Sequence, residues 1–124
     1  MKVTSPLVSI VDDDESVRES LPDLVREFGC RAEAFSSAEA FLESGNFNET
    51  ACLILDVTMP GMSGPQLQRQ LALSGQAIPI VFITAHGGET LRPRLIADGA
   101  VECLSKPFSD TALRLALNSA FRKG

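Results

Sequence analysis

The apolar positions of this chain fall into five short runs, each ending in polar or turn-forming residues. Leu7 to Val11 is apolar except for Ser9 and gives way to Asp12, Asp13, Asp14 and Glu15. Ala51 to Leu55 is wholly apolar and ends in Asp56, after which Met59-Pro60-Gly61 breaks the chain into a turn. Ile78 to Ile83 ends at Thr84-Ala85, and Val101 to Leu104 ends in Ser105-Lys106-Pro107. Runs this short and continuous, bounded by turn signals, predict strands buried on both faces. Pro79 is tolerable because it lies near the first residue of its strand. Arg31 to Phe35 alternates instead, the pattern of a half-exposed edge strand.

Between these runs the period lengthens. Val17, Leu21, Leu24, Val25 and Phe28 recur at i, i+4, i+7, i+8 and i+11, one face of a helix that opens near Asp14 or Glu15 and closes at Gly29. Pro22 interrupts that face and predicts a kink, because its missing N–H removes a backbone hydrogen bond. Ser36 with Glu39 has the spacing of a capping box and predicts a short helix through Phe41 and Leu42, closed by Gly45. Ser63-Gly64-Pro65 opens a helix with Leu67 and Leu71 that Gly75 ends. His86-Gly87-Gly88 reads as a flexible loop before a helix carrying Leu91, Leu95 and Ile96, in which Pro93 predicts a late start. Ser109 or Asp110 caps the last helix, with Leu113, Ala116, Leu117, Ala120 and Phe121 on one face. Strand and helix thus alternate five times, which predicts a three-layer α/β domain with helices on both sides of a parallel sheet.

Composition narrows the function. With 124 residues and 44% hydrophobic content there is enough apolar material for one core and too little for two domains. A net charge of −5 and a pI near 4.8 disfavour direct binding to nucleic acid or an anionic membrane. Cys30, Cys52 and Cys103 are odd in number and far apart in apolar runs, so they read as free thiols in a reducing cytoplasm rather than a disulfide or metal framework. No apolar stretch approaches the roughly 18 residues of a membrane span, and no signal peptide is evident. The expectation is a cytoplasmic domain.

In doubly wound sheets the ligand site lies at the carboxyl ends of the strands. Those ends carry Asp12, Asp13, Asp56, Thr84 and Lys106. Carboxylates brought within about 4 Å of one another repel by roughly 4 kcal/mol per pair at an effective dielectric near 20. A hard divalent cation relieves this, and Mg²⁺ suits one or two carboxylates, a backbone carbonyl and a phosphate oxygen. Lys106 supplies a compact positive charge and Thr84 a hydroxyl donor for the same anion. Acids, metal, lysine and hydroxyl around one carboxylate are equipment for phosphoryl transfer onto it.

From Val3 to the final helix the chain resembles the receiver domains of two-component response regulators. The resemblance is carried by Val11-Asp12-Asp13, by Leu55-Asp56 with Met59-Pro60-Gly61-Met62-Ser63-Gly64, by Thr84-Ala85 and by Lys106-Pro107. It implies a flavodoxin-like sheet of order 2-1-3-4-5, a doubly wound order that a chemotaxis receiver exemplifies. It implies a single domain over residues 1–124, the N-terminal part of a longer regulator if an output domain follows. Asp56 would be the phosphoacceptor, Asp13 a direct Mg²⁺ ligand with Asp12 acting through water, and the Thr58 carbonyl the remaining protein ligand. Thr84, the Ala85 N–H and Thr58 would bind the phosphoryl group, Lys106 would pair with it, and the Lys106–Pro107 bond would be cis. The implied donor is a phosphohistidine on a sensor histidine kinase. Thr58 and His86 occupy the positions two residues after Asp56 and Thr84, where such receivers tune phosphoryl lifetime. Cys103 stands where the family usually has Tyr or Phe, and is too small to fill the space behind Thr84.

The segment Ser36-Ser37-Ala38-Glu39-Ala40-Phe41-Leu42 is similar to receivers of nitrogen-fixation and nodulation transcription regulators. Phosphorylation would then repack the face of the fourth helix, fifth strand and fifth helix, giving a homodimer or releasing an output domain, with Arg92, Arg94, Asp98, Glu102 and Arg114 as its polar residues. Two other functions compete: an aspartate-nucleophile, Mg²⁺-dependent phosphatase, and a receiver kept as an interaction module without phosphorylation. The phosphatases usually carry a second Asp two residues after the nucleophile, where this chain has Thr58. Unphosphorylated receivers normally lose an acid or the lysine, and none is missing here. Asp14 and Glu15 read as a solvated first helical turn, His86 as an exposed loop residue and Cys103 as a small core residue. Pro60 and Gly61 are explained by a tight turn alone and call for no partner.

Overall fold

A computed structural model describes residues 5–123, so Val3, where the resemblance begins, lies outside the described residues. The chain runs β1 (Leu7–Val11), α1 (Glu15–Glu27), β2 (Arg31–Phe35), α2 (Ala38–Ser44), β3 (Thr50–Asp56), α3 (Gly64–Leu73), β4 (Ile80–Thr84), α4 (Gly88–Ala97), β5 (Glu102–Ser105) and α5 (Asp110–Lys123). All strand pairings are parallel and the order is β2-β1-β3-β4-β5. The chain steps from β1 outward to β2, then crosses back to β3 on the other side of β1. That reversal makes the carboxyl ends of β1 and β3 the switch point where such sheets form their crevice.

Alternation along the strands divides the core in two. Val8, Ile10, Cys52, Ile54, Val81 and Ile83 face α1 and α5, where Leu21, Val25, Leu113 and Leu117 meet them. Val11, Leu53, Leu55, Ile80 and Phe82 face the other way onto Phe41, Leu67, Leu71 and Leu95. Every residue of β1 and β4 is buried, which is why these strands show no polar alternation. Edge strand β2 keeps Arg31 and Glu33 in solvent. Ser9, the one polar residue inside β1, is buried and hydrogen-bonds the Thr50 hydroxyl at 2.7 Å, so its burial leaves no polar group unpaired.

Local chemistry departs from the sequence expectation at several helix ends. Ser37, not Ser36, caps α2 by accepting the Ala40 N–H, so Ser36 and Glu39 form no capping box. The capping box in the fold is Ser63 with Gln66, at the start of α3. Pro22 is buried within an α1 that continues to Glu27. Pro93 does not delay α4, which begins at Gly88. A proline costs the helix the hydrogen bond its own N–H would make, and packing of the surrounding turns holds the helix across that gap. Ser109 rather than Asp110 supplies the cap of α5, through the Ala112 N–H. All three cysteines are free and buried, and burial pushes the Cys52 thiol up to about 12. None of the described helices is long and apolar enough to cross a membrane.

Candidate functional site

Parallel register brings the polar residues to one edge. Val11 pairs with Leu55, Asp56 with Ile83 and Thr84 with Ser105, so Asp12 and Asp13, Asp56, Thr84 and Lys106 emerge side by side from four strands. One carboxylate oxygen from each of Asp12, Asp13 and Asp56 lies within 4.8 Å of the others. Asp12 and Asp56 are buried, at 0% and 6% exposure, whereas Asp13 is open to solvent.

The three acids are not equivalent. Asp12 uses both oxygens within the protein: Oδ1 accepts the Asp14 N–H at 2.9 Å, and Oδ2 accepts a hydrogen bond from Lys106 Nζ at 2.8 Å. Among the described residues no such donor reaches Asp13 or Asp56, which leaves their oxygens available to a ligand. Burial, and then the Asp12 carboxylate beside it, push Asp56 up to about 7, although Lys106 pulls the other way. Burial alone would lower Lys106, but its hydrogen bond and charge interaction with Asp12 outweigh that and hold it above the usual lysine value. A site of carboxylate oxygens with one acid resisting ionisation fits a small divalent cation. Asp12, Asp13 and Asp56 are the residues that could hold such an ion, and Asp13 and Asp56 have oxygens free of protein donors among the described residues.

The turn after β3 shapes the rim. The Val57 N–H continues the ladder to Ile83 O, and the Gly64 N–H closes the loop onto Val57 O. Val57 and Met59 are buried, while Thr58 between them is exposed. At Gly64 any Cβ would collide with the Asp56 carbonyl and lie 3.0 Å from the Phe82 ring, so only glycine lets α3 approach the strand tip this closely. On the β4 side, the Thr84 hydroxyl donates to His86 O at 2.7 Å and accepts the His86 N–H at 3.2 Å. Exposed Ala85 follows, and its N–H has no backbone partner among the described residues. The Lys106–Pro107 peptide bond is cis.

Two residues of this neighbourhood make contacts that the sequence pattern did not indicate. Gly88 is buried, not part of a flexible loop, and a Cβ there would strike Ser105 Oγ and sit 3.2 Å from the Thr84 methyl. Glu39 reaches from α2 to accept the Met62 N–H at 3.1 Å, so the Pro60-Gly61 turn does have a partner. No local sequence signal marks either contact, because both depend on how distant elements dock. The residues named for the outer face also separate. Arg92 and Glu102 form a two-pronged ion pair between α4 and β5. Arg114 instead lies over the Phe28 ring between α1 and α5, and the Asp98 carbonyl accepts from Gln68 of α3.

A doubly wound five-stranded sheet with an acidic cluster and a lysine at its carboxyl edge defines a flavodoxin-like class of small domains whose candidate site lies at the strand ends. The chain belongs to the response regulator receiver domain family, whose description matches residues 8–118. It is 43% identical over 122 residues to the response regulator protein TodT of Pseudomonas putida, covering 98% of this chain and 54% of that protein. Nodulation protein W of Bradyrhizobium diazoefficiens is 44% identical over 117 residues, covering 94% of this chain and 52% of its own length. The chain thus spans about half the length of these curated relatives. Among solved structures, FixJ-N superimposes with a TM-score of 0.84 at 35% identity, covering 97% of this chain and 96% of that one. The response regulator StyR gives 0.88 at 46%, covering 97% and 61%. A chemotaxis CheY4 protein of Vibrio cholerae, 24% identical with a TM-score of 0.83, shares the fold. The domain is therefore a receiver of two-component signalling, and its family is not one of conventional enzymes. Neither the phosphatase nor the unphosphorylated-module reading is favoured.

Proposed function

We propose that Asp56 accepts a phosphoryl group from a phosphohistidine of a sensor histidine kinase, and that the domain catalyses this transfer and the later hydrolysis itself. One observation carries the reading: Asp56 is a buried strand-end carboxyl without a protein donor, set against two further acids and beside the Asp12–Lys106 pair. In the transfer an Asp56 oxygen forms the new P–O bond as the bond to the donor breaks. Asp13, Asp56 and the Thr58 carbonyl would hold Mg²⁺, with Asp12 assisting through water. When bound, the cation would neutralise charge on the transferring oxygens. Lys106 pairs with the arriving anion, and the Ala85 N–H and the Thr84 hydroxyl donate to it once Thr84 leaves His86. A groove of about 570 Å³ between α1 and the segment leading into α5, lined by Val17, Leu21, Lys106 and Phe108 among others, offers the kinase a docking surface that includes Lys106 of the site.

The output we assign is control of transcription in the cytoplasm, since related proteins such as FixJ of Azorhizobium caulinodans are named transcriptional regulatory proteins. The acidic charge of this chain supports the reading that this domain itself does not contact DNA. Residues 1–124 act as one receiver within such a regulator, and phosphorylation drives pairing of two copies through α4, β5 and α5.

Incubation with acetyl phosphate and Mg²⁺ tests the reading. Intact-mass spectrometry should show one added phosphoryl group in the wild type and none in Asp56→Asn. Phosphorylation persisting in that variant would overturn the assignment. Small-angle scattering with and without phosphorylation tests the dimer, and an unchanged monomer sinks it.

A further inference from the structure

The turn between Asp56 and α3 is held from outside by one side chain. Among the described residues, the backbone of residues 58–62 makes no hydrogen bond to the rest of the protein except the Met62 N–H to Glu39 Oε2, at 3.1 Å. Met59 is buried, and Val57 and Gly64 are fixed by backbone bonds, so the stretch is anchored at its two ends and at one point between. Gly61 is matched to this contact. It adopts φ +75°, and a Cβ there would lie 2.9 Å from Glu39 Oε2. The carboxylate therefore occupies the space a side chain at position 61 would fill. Glu39 also stands in the first turn of α2, where the helix N-terminus favours its negative charge. The same carboxylate thus ties the start of α2 to the rim of the site.

We propose that Glu39 is a positioning residue for the phosphoacceptor centre: by accepting the Met62 N–H it holds the Thr58–Met62 turn so that the Thr58 carbonyl faces the divalent cation. This rests on the reading of Asp13, Asp56 and the Thr58 carbonyl as the cation's protein ligands. Glu39 itself is exposed at the α2 end and touches neither cation nor phosphoryl group. Its effect is on the conformational freedom of the turn. Without the tether, the cation must order the turn as it binds, and that ordering opposes binding.

The experiment compares the wild-type chain with Glu39→Ala and Glu39→Gln. Hydrogen exchange of the Met62 amide is followed by NMR in the metal-free proteins, and Mg²⁺ binding is measured by calorimetry. An exposed hydrogen bond of ordinary strength corresponds to about a five-fold change in an equilibrium. Glu39→Ala is expected to speed Met62 exchange and to weaken Mg²⁺ binding, each by about that factor. Glu39→Gln lacks the charge but keeps an acceptor oxygen, so it is expected to stay within about two-fold of wild type in both measurements. Equal weakening in both variants would mean that the charge alone matters, and the tether idea fails. Unchanged Mg²⁺ affinity in Glu39→Ala, with wild type binding normally, also overturns it while leaving the site reading intact. A wild type that binds no Mg²⁺ sinks the site reading and this proposal together.

Discussion

Replacing Asp56 with asparagine is expected to stabilise the metal-free protein, and to do so increasingly as pH rises. The fold raises the Asp56 pKa from 3.8 to about 7, through burial first and then the neighbouring Asp12 carboxylate. A carboxyl whose folded pKa lies above its unfolded value favours folding while protonated, and that contribution is lost as pH rises from 3.8 through about 7. Three units would correspond to about 4 kcal/mol. The buried side chain lies beside solvent-exposed Asp13, and solvent reaching the site screens part of the charge, so about 2 kcal/mol is the expected size. For a domain of this length that is a shift of roughly 8 °C in melting temperature. Asparagine keeps the shape and never ionises. The chain has no Trp or Tyr, so far-UV circular dichroism is the probe, with urea unfolding at about pH 5 and about pH 8 in the presence of a chelator. The stability gain of Asp56→Asn should be smaller at the lower pH, where only part of the change between the two pKa values has accrued, and near its full size at the higher. Saturating Mg²⁺ should erase most of it, by stabilising the wild type. A gain that does not change with pH, or a less stable variant at the higher pH, would refute the electrostatic account.

Other perturbations probe the same edge. Lys106→Met leaves the fully buried Asp12 carboxylate without its cation, and a loss of about 2–3 kcal/mol is expected in urea unfolding near neutral pH, below the range for a fully buried pair because Lys106 is partly exposed. Gly64→Ala forces backbone apart at the Asp56 carbonyl. It should cost about 1–3 kcal/mol and slow acetyl phosphate labelling of Asp56, measured by mass spectrometry over time. Gly88→Ala should lose a similar amount, of which Ser105→Ala in the same chain restores more than half, because Ser105 Oγ is the atom struck first; simply additive losses would contradict this contact. The double variant Thr58→Ala, His86→Ala alters the two exposed positions flanking the strand ends and should change the dephosphorylation rate of labelled protein severalfold, read by loss of the phosphoryl mass.

The sheet was legible because Ile54 and Leu55, or Ile80 to Ile83, can be apolar in succession only where both faces are covered. The alternation of strands and helices follows from these runs, but the order β2-β1-β3-β4-β5 does not: it came from resemblance to a family and agrees with the pairing found. The acids at the strand ends were also visible, since an ionised residue directly after a buried run must be solvated, paired or bound to something. What distinguishes them was not visible. That each Asp12 oxygen has a protein donor, from Asp14 and Lys106, while Asp56 has none depends on register across strands 94 residues apart in sequence. Ser36 and Ser37 are equally good caps on paper, and only the docking of α2 decides for Ser37. Glu39, freed from capping, spans 23 positions to Met62, a contact no local pattern encodes.

Cys103 raises the question of how an event at Asp56 could reach the surface without an aromatic residue behind Thr84. The packing supplies a route that needs none. Cys103 is buried among the residues under α4, including Leu95, and burial pushes its thiol up, as expected of a core residue rather than a reactive one. Thr84, in turn, touches the start of α4 through Gly88, which has no side chain to hold the helix away from Ser105 and the Thr84 methyl. The Thr84 hydroxyl is engaged with the backbone of His86, the residue that leads into Gly87 and α4. Donating to a phosphoryl group on Asp56 would take that hydroxyl from His86 and move the methyl lying against Gly88 in one step. The first turn of α4 would therefore sense Thr84 twice, through its loop and through its packing. Arg92, one turn further along α4, is joined to Glu102 on β5 by an ion pair, through which a displacement of α4 would reach that strand. On these contacts the small residues at positions 88 and 103 both lie under α4, Gly88 against Ser105 and the Thr84 methyl and Cys103 in the cluster that includes Leu95.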